Sequence, residues 1–188
     1  MRTLLARTFL RFTGWEVVGT RISDKKIIIA IAPHTSNWDL LYGLAVAKIL
    51  VAKISWLGKH TAFWWPLGPL LRALGGIPVR RDQPEELVEQ IVRAFDEAET
   101  LSLAITPEAT RSFTPYWKSG FYRIAKATGV PIQLGFLDYA RRQAGLGPAI
   151  TLTDDVRADM DEIRAFFADK VGRYPEKQGE IRLHEEDE

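Results

Sequence analysis

The sequence predicts an α/β fold, a three-layer single domain whose mostly parallel or mixed central sheet is flanked by helices, plus an N-terminal amphipathic helix. Three observations predict it. Short β-branched runs alternate with longer amphipathic runs along the chain. The first of the short runs, Lys26–Ala32, is apolar at nearly every position, as suits a strand buried on both faces. Finally, 188 residues with 46% hydrophobic content are enough for one sizeable core, and no repeat or linker divides them.

The elements follow in order. From Arg2 to Trp15, Leu4, Leu5, Thr8, Phe9, Phe12 and Trp15 recur at three- and four-residue steps, with Arg7 and Arg11 on another face. This basic amphipathic helix suits either a membrane interface or docking on the protein's own core. Residues 1–22 are assigned to this segment, 23–174 to the domain proper, and 175–188 to a polar, acidic and partly disordered tail. After Lys26–Ala32 and a polar loop, Leu40 to Ala52 stays apolar for too long to be a strand and reads as a helix. Lys53–Gly58 is a second strand. Phe63–Leu71 is dense in aromatic residues and interrupted by Pro66 and Pro69, which deny it a helix throughout. Its rings suit a headgroup zone or an acyl-chain groove, or else a loop packed on the core.

Gly75–Arg81 enters a short strand and ends on Arg80 and Arg81, a pair suited to bidentate phosphate binding or simply to a solvated surface. Pro84 opens a helix with Leu87, Ile91, Ala94, Phe95 and Ala98 on one face. Leu101–Thr106 is a strand, Lys118–Thr128 a helix closed by Gly129, and Val130–Leu137 a strand. Arg141–Pro148 reads as turn-like, with a return strand from Ala149 to Leu152, and Asp159–Val171 as the last helix.

The composition narrows the chemistry. With a net charge of +1, the whole chain has no strong attraction for nucleic acid, although its front is basic and its end acidic. No cysteine is present, which excludes disulfides, thiolate nucleophiles and thiolate-bound metals. Three histidines lie far apart without metal-binding spacing, so metal-free chemistry is expected. Neither a phosphate-binding P-loop, a dinucleotide fingerprint nor a serine-hydrolase elbow occurs. No uncharged run approaches the ~20 residues of a spanning helix, and Arg7 and Arg11 interrupt any signal-peptide core, so a cytoplasmic location is expected.

The chemistry concentrates in Pro33-His34-Thr35-Ser36-Asn37-Trp38-Asp39, between the first strand and its helix. Loops at the carboxyl ends of strands are where α/β proteins bind ligands. A neutral imidazole can take a proton from an alcohol near neutral pH when a carboxylate orients it, and His34 and Asp39 supply the two groups if the loop folds back. The helix N-terminus adds unpaired N–H groups for a developing oxyanion. The alternative reading is a helix start, with Ser36 as the cap, Asp39 as its partner and His34 incidental. A later strand delivers Glu108, Thr110 and Arg111 within four residues, which alone would suit an ion-paired turn.

Together these loops resemble the glycerolipid acyltransferase family, typified by 1-acylglycerol-3-phosphate acyltransferase. Four blocks match in order: H-x-x-x-x-D at His34–Asp39, G-x-I-x-x-x-R at Gly75, Ile77 and Arg81, P-E-x-T-R-S at Pro107–Ser112, and V-P-I at Val130–Ile132. The resemblance implies acyl transfer from acyl-CoA or acyl-carrier protein to a lipid hydroxyl, without a covalent enzyme intermediate and without a cofactor beyond the acyl donor. It implies His34 as general base, Asp39 as its orienting partner, and Arg80, Arg81, Glu108, Thr110 and Arg111 as acceptor-binding groups. The implied partners are a lysophospholipid, first of all 1-acylglycerol-3-phosphate, the acyl donor, and the cytoplasmic surface of a membrane. Another acceptor such as a lyso-aminolipid, a thioesterase, and a non-catalytic lipid-binding module are the competing readings. Three positions depart from the family pattern: Ala109 replaces a common glycine, Arg80 a common acidic residue, and Gln133 a frequent proline.

Overall fold

Lys26–Ala32 forms β2 at the centre of a seven-stranded sheet. Successive side chains of a strand point to opposite faces, so Ile28, Ala30 and Ala32 enter one core while Ile27 and Ile29 enter the other. This computed structural model describes residues 2–50, 53–80 and 83–187. Arg81, of the expected arginine pair, lies outside the described residues.

The remaining strands are β1 (Glu16–Gly19), β3 (Ser55–Lys59), β4 (Gly76–Val79), β5 (Leu101–Ile105), β6 (Ile132–Asp138) and β7 (Gln143–Ile150). Their spatial order is β1-β7-β6-β2-β5-β3-β4. From β6 to β4 every neighbour is parallel, whereas β7 runs antiparallel to β6 and carries β1 with it. Helices α1 (Arg2–Phe12) and α2 (Trp38–Leu50) cover one face. On the other lie α4 (Pro84–Glu97), α5 (Gly120–Thr128) and α6 (Val156–Phe167), while α3 (Leu67–Ala73) sits beside β4. The predicted three-layer α/β architecture with a mixed sheet is thus observed.

The larger core gathers Ile91 and Phe95 of α4, Phe121 and Ile124 of α5, and Met160, Ile163 and Phe167 of α6 against β2, β5 and β6. Phe95 and Phe121 are each 1% exposed, and burying one such ring stabilises the fold by about 1.5–3 kcal/mol. Two helix ends explain the register of this layer. Gly129 closes α5 at φ 67°, a conformation a residue with a Cβ resists. Asp155 caps α6 by accepting the N–H groups of Arg157 and Ala158, which starts that helix three residues before the expected Asp159 and lets it end at Phe167.

Three expectations are corrected. Arg141–Pro148, expected as a turn, belongs largely to β7, because its glycines serve close packing rather than chain reversal. A Cβ at Gly145 would stand 1.8 Å from the Val18 carbonyl oxygen of β1. Gly147 and Pro148 fall where the β6–β7 register shifts, and the buried Gln133 side chain fills that irregularity by donating to the Gly147 carbonyl and, at 3.2 Å, to the Thr20 hydroxyl. A proline at 133 could make neither bond.

Second, the 1–22 segment is helical only over Arg2–Phe12, since Glu16–Gly19 pairs with β7 as an edge strand. Its helix buries Ala6 and Leu10 against α2 and leaves Leu4, Leu5 and Phe12 exposed. Third, the 175–188 tail, expected to be partly disordered, folds back on the core as two short 3-10 turns up to the last described residue. Leu183 is fully buried, and the carbonyl of Arg182 accepts the Trp117 N–H at 2.9 Å.

Candidate active site

Because β2, β5, β6, β3 and β4 are parallel, their carboxyl ends share one edge of the sheet. The polar loops singled out in the sequence therefore open on the same side, as expected of an α/β ligand site. β2 delivers His34, β5 delivers Glu108 to Arg111, and β4 delivers Arg80.

The loop after β2 does fold back. His34 Nδ1 lies 3.0 Å from Asp39 Oδ2, and the same oxygen accepts the N–H groups of Thr35 and Ser36, each at 2.9 Å. A carboxylate can only accept, so Nδ1 carries a proton, and in the neutral imidazole Nε2 is the nitrogen with the lone pair. Among the described residues no group pairs with Nε2, and the His34 side chain remains 20% exposed. Asp39 is 4% exposed in the first turn of α2. The helix-start reading is met at the same time: the Ser36 hydroxyl accepts the Trp38 N–H at 3.2 Å while Asp39 takes the Ser36 N–H. The capping bonds and the His34–Asp39 contact do not compete, since the same bonds immobilise the carboxylate that meets the imidazole.

Glu108 comes from the β5 loop, and its Oε1 accepts the His34 backbone N–H at 2.9 Å. It was expected among the acceptor-binding groups, but it is buried under the loop, and its Oε2 has no hydrogen-bond partner among the described residues. Burial pushes its carboxyl above the ordinary value of 4.5, against the hydrogen bonds from its own backbone and that of His34. Arg111 donates to the Asn37 side-chain oxygen, which brings one guanidinium onto the His34–Asp39 loop. The Thr110 hydroxyl accepts the Ser112 N–H at 3.2 Å, shaping the same turn. Arg80 is exposed just past β4, which β5 and β3 separate from β2, about 14 Å across the sheet at ~4.8 Å per strand. Arg111 therefore stands at the His34–Asp39 loop and Arg80 further along the edge.

Ala109, between Glu108 and Thr110, sits at φ 54°. That left-handed conformation costs about 1–2 kcal/mol for a residue with a Cβ, of which glycine's greater freedom in the unfolded chain cancels roughly 0.5–1. Ala109→Gly is therefore expected to stabilise the protein by about 0.5–1 kcal/mol in urea unfolding. A loss of stability would show that the methyl group contributes packing that outweighs the strain.

Two contributors have no local signal in the sequence. Tyr139, immediately after β6, donates its hydroxyl to Asp39 Oδ1 at 2.6 Å. The segment following α6 closes over the loop: the Tyr174 N–H donates to the Thr35 hydroxyl at 3.1 Å, and the Arg173 guanidinium lies 5.6 Å from the Trp38 ring centre. A position just past the carboxyl end of a central strand was the one available pointer to Tyr139, and nothing pointed to the others.

Comparison with known proteins gives a family and a shared fold. No curated protein matches the chain. Among solved structures, the 1-acyl-sn-glycerophosphate (LPA) acyltransferase PlsC from Thermotoga maritima aligns with a TM-score of 0.54 over 89% of this chain and 74% of that one, at 17% identity, which shows a shared fold. The profile of the family described as Acyltransferase matches residues 14–133, well over half the chain. That stretch contains β2, the loop that pairs His34 with Asp39, and the Glu108–Arg111 turn, and on this match the protein belongs to the Acyltransferase family.

Proposed function

We propose that the protein transfers a fatty acyl group from acyl-CoA or acyl-carrier protein to a hydroxyl of a lysophospholipid, with 1-acylglycerol-3-phosphate the first candidate, while bound to the cytoplasmic surface of a membrane. The observation that carries this reading is the 3.0 Å contact between His34 Nδ1 and the buried Asp39, which leaves Nε2 free on the open side.

In this reading the acceptor hydroxyl lies against His34 Nε2, which removes its proton as the oxygen attacks the thioester carbonyl carbon. Asp39 stabilises the resulting imidazolium. The tetrahedral oxyanion collapses, the C–S bond breaks, and the imidazolium returns its proton to the departing thiolate, giving an ester and a free thiol. Arg111, with Arg80 and Arg81, takes the acceptor's phosphate, Thr110 supplies a hydroxyl to its polar head, and Glu108 holds the His34 backbone from below. The likeness in fold to an LPA acyltransferase supports a phosphate-bearing acceptor.

The test is transfer from labelled acyl-CoA, and separately from acyl-carrier protein, to lysolipids with and without phosphate. Competition confined to phosphate-bearing acceptors supports the proposal. Equal reaction of phosphate-free acceptors would favour a lyso-aminolipid, and donor hydrolysis that ignores the acceptor would favour a thioesterase. No reaction by folded, vesicle-bound protein would favour a binding module.

Membrane contact has its own support. Among the described residues no helix is long and apolar enough to cross a membrane. Yet α1 exposes Leu4, Leu5 and Phe12 beside Arg7 and Arg11, and Trp64, Trp65 and Leu70 are exposed around the start of α3. Changing Leu4, Leu5 and Phe12 together to serine is expected to weaken binding to vesicles containing anionic phospholipid by about 100-fold, from ~1 kcal/mol or more per side chain withdrawn from the interface. Unaltered vesicle flotation of the variant would exclude α1 as the anchor.

A further inference from the structure

The two oxygens of Asp39 have different surroundings. Oδ2 receives His34 Nδ1 and the N–H groups of Thr35 and Ser36, all from its own loop. Oδ1 receives the Tyr139 hydroxyl, from a residue 100 positions away. The Tyr139 ring does not need that bond to stay in place. Trp15 meets it edge-on at 4.8 Å and Tyr42 at 6.0 Å, its backbone N–H donates to the Val171 carbonyl at 2.8 Å, and the Arg173 guanidinium lies over its face at 5.9 Å. Phenylalanine would meet the same neighbours, so the contribution particular to tyrosine is one hydrogen bond to the partner of His34.

We infer that Tyr139 is a positioning residue for acyl transfer, whose hydroxyl holds Asp39 Oδ1 and limits how strongly Asp39 retains a proton on His34. The inference rests on His34 being the base. A carboxylate that accepts a hydrogen bond spreads its charge onto the donor and has less to offer a neighbouring imidazolium. Without the hydroxyl, Oδ1 is left undonated in a buried place, and Asp39 favours the protonated imidazole more. An imidazole that keeps its proton cannot accept one from the acceptor hydroxyl.

The surrounding groups are consistent with this role. Tyr139 faces Asp39, the Arg173 guanidinium and the Tyr42 hydroxyl, and the His34 backbone faces Glu108. Burial first, and the bond to Asp39 second, hold the Tyr139 hydroxyl well above its ordinary value of 10.0, so it remains a donor across the working pH range.

The experiment follows the His34 imidazole by NMR titration in the full chain, alongside the pH profile of kcat/KM, for the native protein and for Tyr139→Phe. The midpoint of His34 is expected to rise by about half a pH unit or more, the acid limb of the profile to move with it, and kcat at pH 7 to fall several-fold with KM nearly unchanged. Site-specific 3-fluorotyrosine at 139, a stronger donor of almost the same size, is expected to move the midpoint down. It serves equally if Tyr139→Phe does not fold. A His34 titration that moves in neither protein would overturn the inference and leave Tyr139 a packing residue. Because the titration needs no substrate, a shifted midpoint in a protein without transferase activity would sink the proposed reaction while the coupling stood.

Discussion

Replacing His34 with alanine is expected to lower kcat/KM for acyl transfer by about 10³-fold, within the ~10²–10⁴ that a positioned general base contributes. The reason is specific to one atom. Nε2 is the basic atom that the folded loop leaves free, and the neighbouring carboxylates cannot stand in for it. Asp39 is enclosed by donors on both oxygens, and Glu108 lies under the loop with Oε1 engaged by the residue 34 backbone. That backbone bond survives the substitution, as do the Thr35, Ser36 and Tyr139 bonds to Asp39. The variant should therefore fold, melt within a few degrees of the native protein, and still bind lipid. Steady-state kinetics and a thermal melt on one preparation decide the matter. Native turnover in a folded variant would remove His34 from the mechanism, and the chemistry would have to be sought elsewhere on the sheet edge.

Asp39→Asn should cost nearly as much activity, about 10²–10³-fold in kcat, while sparing the geometry. The amide oxygen can keep the place of Oδ2 and accept from His34, Thr35 and Ser36. The amide nitrogen then takes the place of Oδ1, where Tyr139 can turn its hydroxyl to accept instead of donate. What disappears is the negative charge that stabilises the imidazolium formed when His34 takes the proton. The drop should therefore fall on kcat with KM little altered, which separates this role from substrate binding. Were KM to rise and kcat to hold, Asp39 would be a binding residue and the capping description alone would stand.

What could be read from the chain was what the chain settles locally. β2 was legible because six of its residues in a row are β-branched or alanine, and the His34–Asp39 pair because five residues suffice to close the loop on itself. β7 was hidden, since Gly145, Gly147 and Pro148 look like turn residues until Val18 is seen pressing against Gly145 from the next strand. The same holds for Tyr139, an ordinary tyrosine whose meaning depends on an aspartate 100 residues earlier. In the tail, the charges of Glu185 to Glu188 dominate the average and obscure Leu183, whose burial anchors the segment. The departures from the family pattern also became legible only in three dimensions. Gln133 satisfies the irregular register between β6 and β7, whereas Ala109 accepts a strained backbone.

The Tyr174–Thr35 contact places a condition on biosynthesis. The loop that bears His34 is made early, yet the groups that frame it arrive 74, 100 and 139 positions later, as Glu108, Tyr139 and Tyr174. A nascent chain still short of residue 174 can close His34 on Asp39 but cannot complete the frame around them. Maturation of the centre therefore waits for the ribosome to deliver the segment beyond α6, and it proceeds at the pace of long-range closure rather than of local helix formation.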